Sequence, residues 1–273
     1  MRVMPLGGLK EIGKNITLVE YRDDILIIDC GFSFPEDEMF GIDVVIPDFT
    51  YLKENMERIK GLIITHGHED HIGSVPYILK KINVPVYGTK LTLGLVESKL
   101  QEHNLSKENL HLVNAGETIK TKHFSVEFIR ACHSIPDSVS FGIKTPVGNI
   151  FFTGDFKIDY TPIDGDKMDL HRIAQWGMDG VMLLCADSTN VERPGYTMSE
   201  SSVGDTFVEL FSKAQGRIIV ATFASNLHRV QQIIKAAEKF NRKVAISGRS
   251  MVNVIKVATE LNKLEIEEGT LID

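Results

Sequence analysis

A layered α/β fold in two successive parts is what this sequence predicts, and three observations predict it. The first half alternates short runs rich in Ile, Leu and Val with glycine, proline and aspartate turns. From Ser199 onward apolar residues recur every three or four positions, the helical period, between short buried strands. The 273 residues, 43% hydrophobic and 25% charged, suffice for one large or two smaller domains with a sizeable core. That balance, with a mean hydropathy of −0.02, excludes intrinsic disorder, collagen-like sequence and a small disulfide scaffold.

Strands are predicted at 2–5, 16–21, 25–29 and 61–65, each bounded by Gly, Asp or Pro. A helix follows at 75–82, a strand at 85–87 and a longer helix at 91–103. Strands resume at 111–113, 125–131, 140–144 and 149–153, so mixed strands with flanking helices occupy the first part. The rhythm changes at 187–195. Val203, Phe207, Leu210, Phe211 and Ala214 form one helical stripe, and 218–221 reads as a buried strand. Leu227, Val230, Ile233, Ile234, Ala237 and Phe240 form a second stripe before a strand at 244–246. Met251, Val254, Ile255, Ala258 and Leu261 make a third, and 270–272 looks like a further strand beginning. Strict alternation of this kind predicts βαβ units on a parallel sheet.

The longest unbroken apolar run is 181–186, far short of the ~20 residues a bilayer helix needs. The amino terminus lacks the apolar stretch of a secretory signal. Cys30, Cys132 and Cys185 are odd in number and far apart, which suits a reducing compartment. The expectation is a cytoplasmic protein without membrane association. The net charge is −7, but residues 226–256 carry +6 and the remainder −13. That basic segment is open to two readings, a solvated helical face or an anion-binding surface.

The strongest chemical signal is Thr65-His66-Gly67-His68-Glu69-Asp70-His71, directly after an apolar strand. Imidazole and carboxylate donors at this density suit zinc, and Gly67 relieves crowding where the backbone turns tightly. Strand ends in α/β sheets are where such chemistry collects. His133 ends the run 125–131 and Asp155 ends 150–153, inside Phe-Thr-Gly-Asp-Phe. Taken singly, each could be an ordinary strand-end residue. Together with His66, His68, Asp70 and His71 they make six ligand candidates, enough for two metals with an open face. Cys132 is set aside because neighbouring strand residues face opposite ways. Asp29, at the end of 25–28, either steadies the metal loop from behind or is a simple turn residue.

His66-Gly67-His68-Glu69-Asp70-His71 with His133 and Asp155 resembles the dinuclear zinc site of the metallo-β-lactamase fold. The stretches 6–15 (Leu-Gly-Gly-Leu-Lys-Glu-Ile-Gly-Lys-Asn), 41–48 (Gly-Ile-Asp-Val-Val-Ile-Pro-Asp), 133–138, 187–190 (Asp-Ser-Thr-Asn) and 222–226 (Thr-Phe-Ala-Ser-Asn) resemble the amino-terminal part of the bacterial ribonuclease J family. The resemblance implies a metallo-β-lactamase αββα sandwich, incomplete, over 1–195, followed by the first half of a Rossmann-like β-CASP domain over 196–273. It implies two Zn2+ per intact active site: His66, His68 and His133 on one ion, Asp70 and His71 on the other, Asp155 bridging. Asp70 and Asp187 take the catalytic roles, Asp187 by orienting a histidine. None of the nine histidines follows His228, so a truncated form with impaired activity is expected.

The same resemblance implies a zinc-dependent ribonuclease, a 5′-to-3′ exonuclease with endonuclease activity. Its setting is mRNA turnover and rRNA maturation, and its intact form a homo-oligomer or a hetero-oligomer with a paralogue. RNA capture follows from the residues as well. Ser225-Asn226 and Gly248-Arg249-Ser250 both open basic helices, whose free N–H groups and positive dipole end suit phosphate. Arg229 and Arg249 lie beside them and suit bidentate phosphate contact. Ser225, Asn226 and Ser250 could equally be plain N-caps. The competing readings are another hydrolase of the same fold, acting on a small thioester or lactam, and a catalytically idle RNA-binding or assembly fragment.

Overall fold

A computed structural model describes residues 1–272. β1 (Arg2–Gly7), β2 (Ile16–Tyr21) and β3 (Asp24–Ile28) form an antiparallel meander, and α1 (Thr50–Glu54) leads on to β4 (Ile59–Ile63). Two short helices, α2 (Glu69–Ile72) and α3 (Val75–Leu79), precede β5 (Val86–Gly88), α4 (Lys90–Glu102) and β6 (Leu110–Leu112). The six strands make one sheet in sequence order, parallel from β3 to β6. A second sheet follows from β7 (Thr118–Lys120), β8 (Ser125–Arg130), β9 (Val139–Thr145), β10 (Gly148–Phe152) and, beyond α5 (Leu170–Asp179), β11 (Leu183–Cys185). Its order is β11-β10-β9-β8-β7, antiparallel except where β10 meets β11.

The two sheets pack face to face with helices outside, an αββα sandwich. β3 shows why the sequence folds this way. Ile25 and Ile27 join the cluster under α3 and α4, while Leu26 and Ile28 join Phe128, Phe141 and Ile150 between the sheets. A strand covered on both faces needs apolar residues at every position. On the far side α5 lays Trp176, 1% exposed, against Ile129 and Phe151. Gly142 of β9 makes room for it, since a Cβ there would meet the indole ring.

Glu127 of β8 holds that helix in place. It accepts from Arg172 Nε at 2.5 Å, from Arg172 Nη2 at 2.7 Å and from Trp176 Nε1 at 3.0 Å. The Arg172 hydrogen bonds lower its pKa against the opposing effect of burial, with Trp176 adding to them. A carboxylate whose folded pKa is depressed contributes stability above its unfolded value, lost as pH falls through the folded one. Glu127→Gln should therefore flatten the loss of stability between about pH 5 and 3. Urea midpoints measured across that window check this, and an unchanged pH slope would remove the ion pair from the account.

The second part consists of α6 (Ser201–Lys213), α7 (Leu227–Lys239), β12 (Val244–Ala245), α8 (Arg249–Glu260) and β13 (Leu271–Ile272). It shares the first part's core: Leu227, Val230, Ile234, Ile255 and Ala258 belong to the same cluster as Leu91, Leu95 and Leu100 of α4. Gly94 permits the approach, because a Cβ there would lie 2.6 Å from Leu261 Cδ1. This docking sets the starts of α7 and α8 beside the loop after β4.

Several expectations need correction. The strand expected at 218–221 does not form: residues 214–223 hold no regular structure and Ile219 is 89% exposed, for want of a ladder partner among the described residues. The βαβ alternation yields one parallel pair, β12 with β13. The helix expected at 75–82 ends at Leu79. Unanticipated elements are α1, α2, α5, β7 and β11, all short or bordered by polar loops. No helix among the described residues is long and apolar enough to cross a membrane.

Candidate metal centre

Three strand ends and a short helix converge on one point. β4 delivers Thr65-His66-Gly67-His68, after which α2 carries Asp70 and His71. The segment beyond β8 brings His133, and the one beyond β10 brings Asp155. The donor atoms fall into two groups, His66–His68–His133–Asp155 and Asp70–His71–Asp155, each within 4.8 Å, and Asp155 belongs to both. Asp155 Oδ1 lies 3.4 Å from His71 Nε2, and its Oδ2 lies 3.8 Å from His133 Nε2 and 3.9 Å from His66 Nε2. All six predicted ligands therefore meet.

Backbone constraints make this convergence possible. Gly31 lies against Asp70, whose backbone carbonyl a Cβ there would strike, and Gly67 packs on Leu95, with a Cβ predicted 2.6 Å from Leu95 Cδ1. Asp29 is 1% exposed with φ 59, a left-handed conformation aspartate tolerates. It accepts from Thr65 N at 2.8 Å and from Thr65 Oγ1 at 2.9 and 3.1 Å, and its Oδ2 meets His71 Nδ1 at 2.8 Å. Asp29 thus both ties the loop after β4 and fixes the His71 ring. Thr65 Oγ1 also meets His66 Nδ1 at 2.9 Å.

The electrostatics favour a cation. Burial holds His66 well below the ordinary imidazole range, with the charges of His71, His68 and His133 adding to it. Burial, then His133, brings His68 to about 3, and burial brings His133 to about 4. Burial would raise Asp155, but the hydrogen bond and charge of His71, with the charges of His133 and His68, outweigh it and set its pKa at about 2. Neutral imidazoles facing ionised carboxylates are the protonation states that metal ligation requires. Burial opposes a charge on His71, yet the Asp29 carboxylate prevails and holds that ring well above the usual range. The clearest sign of fit is His66 Nε2, buried without any hydrogen-bond partner and pointing at the cluster.

The remaining predicted residues divide. Ser225, Asn226, Arg249 and Ser250 line a cleft of about 530 Å³ together with His68, Glu69 and Asp70. Arg229 is engaged elsewhere: its Nε donates to Glu200 Oε1 at 2.6 Å, and its backbone N–H to Asn226 Oδ1 at 3.0 Å. Asn226 is therefore the N-cap of α7. Asp187 follows β11, donates its backbone N–H to Thr153 Oγ1 at 2.9 Å and accepts from Thr189, at 2.9 and 2.7 Å. Cys132 stays outside both donor groups, and burial pushes its thiol up to about 11.

Sequence reading overlooked three neighbours of the centre. Lys99 donates to Glu69 at 2.6 Å, Ser134 Oγ lies 3.4 Å from His68 Nε2, and Asn15 reaches Asp70 and His71. Asn15 and Ser134 carried a signal, as members of the stretches 6–15 and 133–138, and Lys99 carried none.

Comparison with known proteins agrees with this geometry. Residues 9–214 match the profile of the metallo-beta-lactamase superfamily, and residues 215–273 that of the ribonuclease J beta-CASP domain. The chain is 49% identical to a ribonuclease J of Synechocystis sp., 47% to ribonuclease J 1 of Streptococcus pyogenes and 44% to ribonuclease J2 of Bacillus subtilis. Those alignments cover 100%, 99% and 100% of this chain but 43%, 48% and 49% of the relatives. The chain thus spans under half the length of these relatives. A crystal structure of a protein of unknown function from Enterococcus faecalis V583 superposes with a TM-score of 0.69 at 18% identity, covering 99% of this chain and 72% of that one. That likeness concerns the fold alone.

Proposed function

Because the chain belongs to the metallo-β-lactamase superfamily, in its ribonuclease J branch, we propose that it hydrolyses RNA phosphodiester bonds at a two-zinc centre. The observation that carries this reading is the shared cleft: the metal loop contributes His68 and Asp70 to it, and the starts of α7 and α8 contribute Asn226, Arg249 and Ser250. His66, His68, His133 and Asp155 would hold one zinc, and Asp70, His71 and Asp155 the other. When bound, such ions neutralise charge at phosphorus and provide a nucleophile at neutral pH.

The chain's own groups do the rest. Asp29 keeps the proton of His71 on Nδ1 and leaves Nε2 free to ligate. The N–H groups opening α7 and α8 receive backbone phosphates, and the exposed Arg249 adds a guanidinium beside them. We assign Asp187, at the tip of β11 next to the strand that leads to Asp155, to orienting a catalytic histidine. We extend the proposal to 5′-to-3′ exonuclease action with internal cleavage, in cytoplasmic mRNA turnover and rRNA maturation. The relationship also supports a homo-oligomer or an assembly with a paralogue.

Metal removal tests this reading. Cleavage of a 5′-monophosphorylated RNA should disappear after chelation and return with added zinc. Binding of the same RNA to the stripped protein should persist and weaken with salt, by about 0.7 in log K per log salt for each phosphate held. Undiminished cleavage after verified metal loss would end the proposal.

A further inference from the structure

Asn15 has no role in the reading above, yet it touches the metal centre with both backbone and side chain. Its Nδ2 lies 3.2 Å from Asp70 Oδ2 and 3.2 Å from His71 Nε2. His71 Nδ1 faces the Asp29 carboxylate at 2.8 Å, so Nε2 is the ring nitrogen turned toward the second donor group. Asp70 Oδ2 is a carboxylate acceptor with a second lone pair, so an amide proton can hold it without removing its capacity to ligate. The group is also anchored. Asn15 N donates to Asp70 O at 3.0 Å, and Asn15 O accepts from Gly31 N at 3.0 Å. Gly8 stands against its Oδ1, where a Cβ would come within 2.5 Å.

We infer that Asn15 is a positioning residue for the second metal. Its amide holds Asp70 Oδ2 beside His71 Nε2, so the carboxylate keeps its orientation before an ion arrives. The first group, His66–His68–His133–Asp155, has no hydrogen bond to Asn15 among the described residues. The effect should therefore be selective. Hydrogen-bonding partners of metal ligands typically account for about 10–100-fold in metal affinity. This inference rests on the metal-binding reading of the site.

The test is a Co2+ titration of the apo protein, followed by d–d absorption and calorimetry, in wild type, Asn15→Ala, Asp70→Asn and the double variant. Asn15→Ala keeps both backbone hydrogen bonds and removes only the amide. The expected result is two equivalents bound by wild type, with the second weakened about 10-fold or more in Asn15→Ala and the first unchanged. In the Asp70→Asn background, Asn15→Ala should lose most of that effect, because the residue it acts through is already altered. Equal weakening of both sites would show a merely structural loop role and overturn the inference, as would two unchanged affinities. Failure of wild type to bind any metal would instead overturn the reading of the centre itself. Should Asn15→Ala melt early, Asn15→Ser, which retains a shorter donor, should fall between it and wild type at the second site; indistinguishable behaviour of all three would again overturn the inference.

Discussion

Asp155→Ala is expected to abolish RNA cleavage and to empty both metal positions, whereas Asp70→Ala should empty one and His68→Ala the other. The difference arises because Asp155 alone belongs to both donor groups. Its two oxygens face opposite ways, Oδ1 toward His71 and Oδ2 toward His66 and His133. Loss of a metal's charge stabilisation is a matter of several kcal/mol, so turnover should fall by about 10³-fold or more. RNA affinity should change little, because Arg249 and Ser250 keep their places at the start of α8. Metal analysis of the purified variants and single-turnover cleavage check both halves. Wild-type turnover in any of the three would refute the ligand assignment.

Asp29→Ala should produce the largest loss of stability. The carboxylate is buried, accepts the Thr65 amide and hydroxyl, and faces the His71 imidazole. Breaking a buried pair by deleting one partner costs about 3–5 kcal/mol, because the other charge is left without compensation. Here the loop between β4 and α2 also loses its tie to β3. Asp29→Asn should cost less, since an amide oxygen can still accept from Thr65 N. Urea unfolding with an unchanged slope and a lowered midpoint is the expected observation, and an Asp29→Ala midpoint equal to that of wild type would show that this contact is dispensable.

The six candidate ligands were legible because chemistry crowds them into few positions. A run of His, Asp and Glu has little structural use behind an apolar strand, and His133 and Asp155 each follow a recognisable strand. Asp29 remained ambiguous in the sequence, because a strand-end aspartate looks the same whether it caps a turn or holds an imidazole. Arg229 shows the opposite failure. Charge count placed it with the phosphate-binding residues, and only packing revealed Glu200 at 2.6 Å. The strand expected at 218–221 failed for a related reason. An apolar run signals burial but cannot supply its own ladder partner, and Ile219 stands exposed.

Asn15 marks the limit most sharply. It lies 55 positions from Asp70 in the chain, and no local periodicity links the two. Sequence by itself determined most of the longer elements, the donor types and the order in which strand ends present them, because propensity, burial pattern and ligand chemistry are local properties. Tertiary structure decided that Asp29 faces His71, which arginine is free and which amide reaches Asp70, because those depend on distances between segments that only folding brings together.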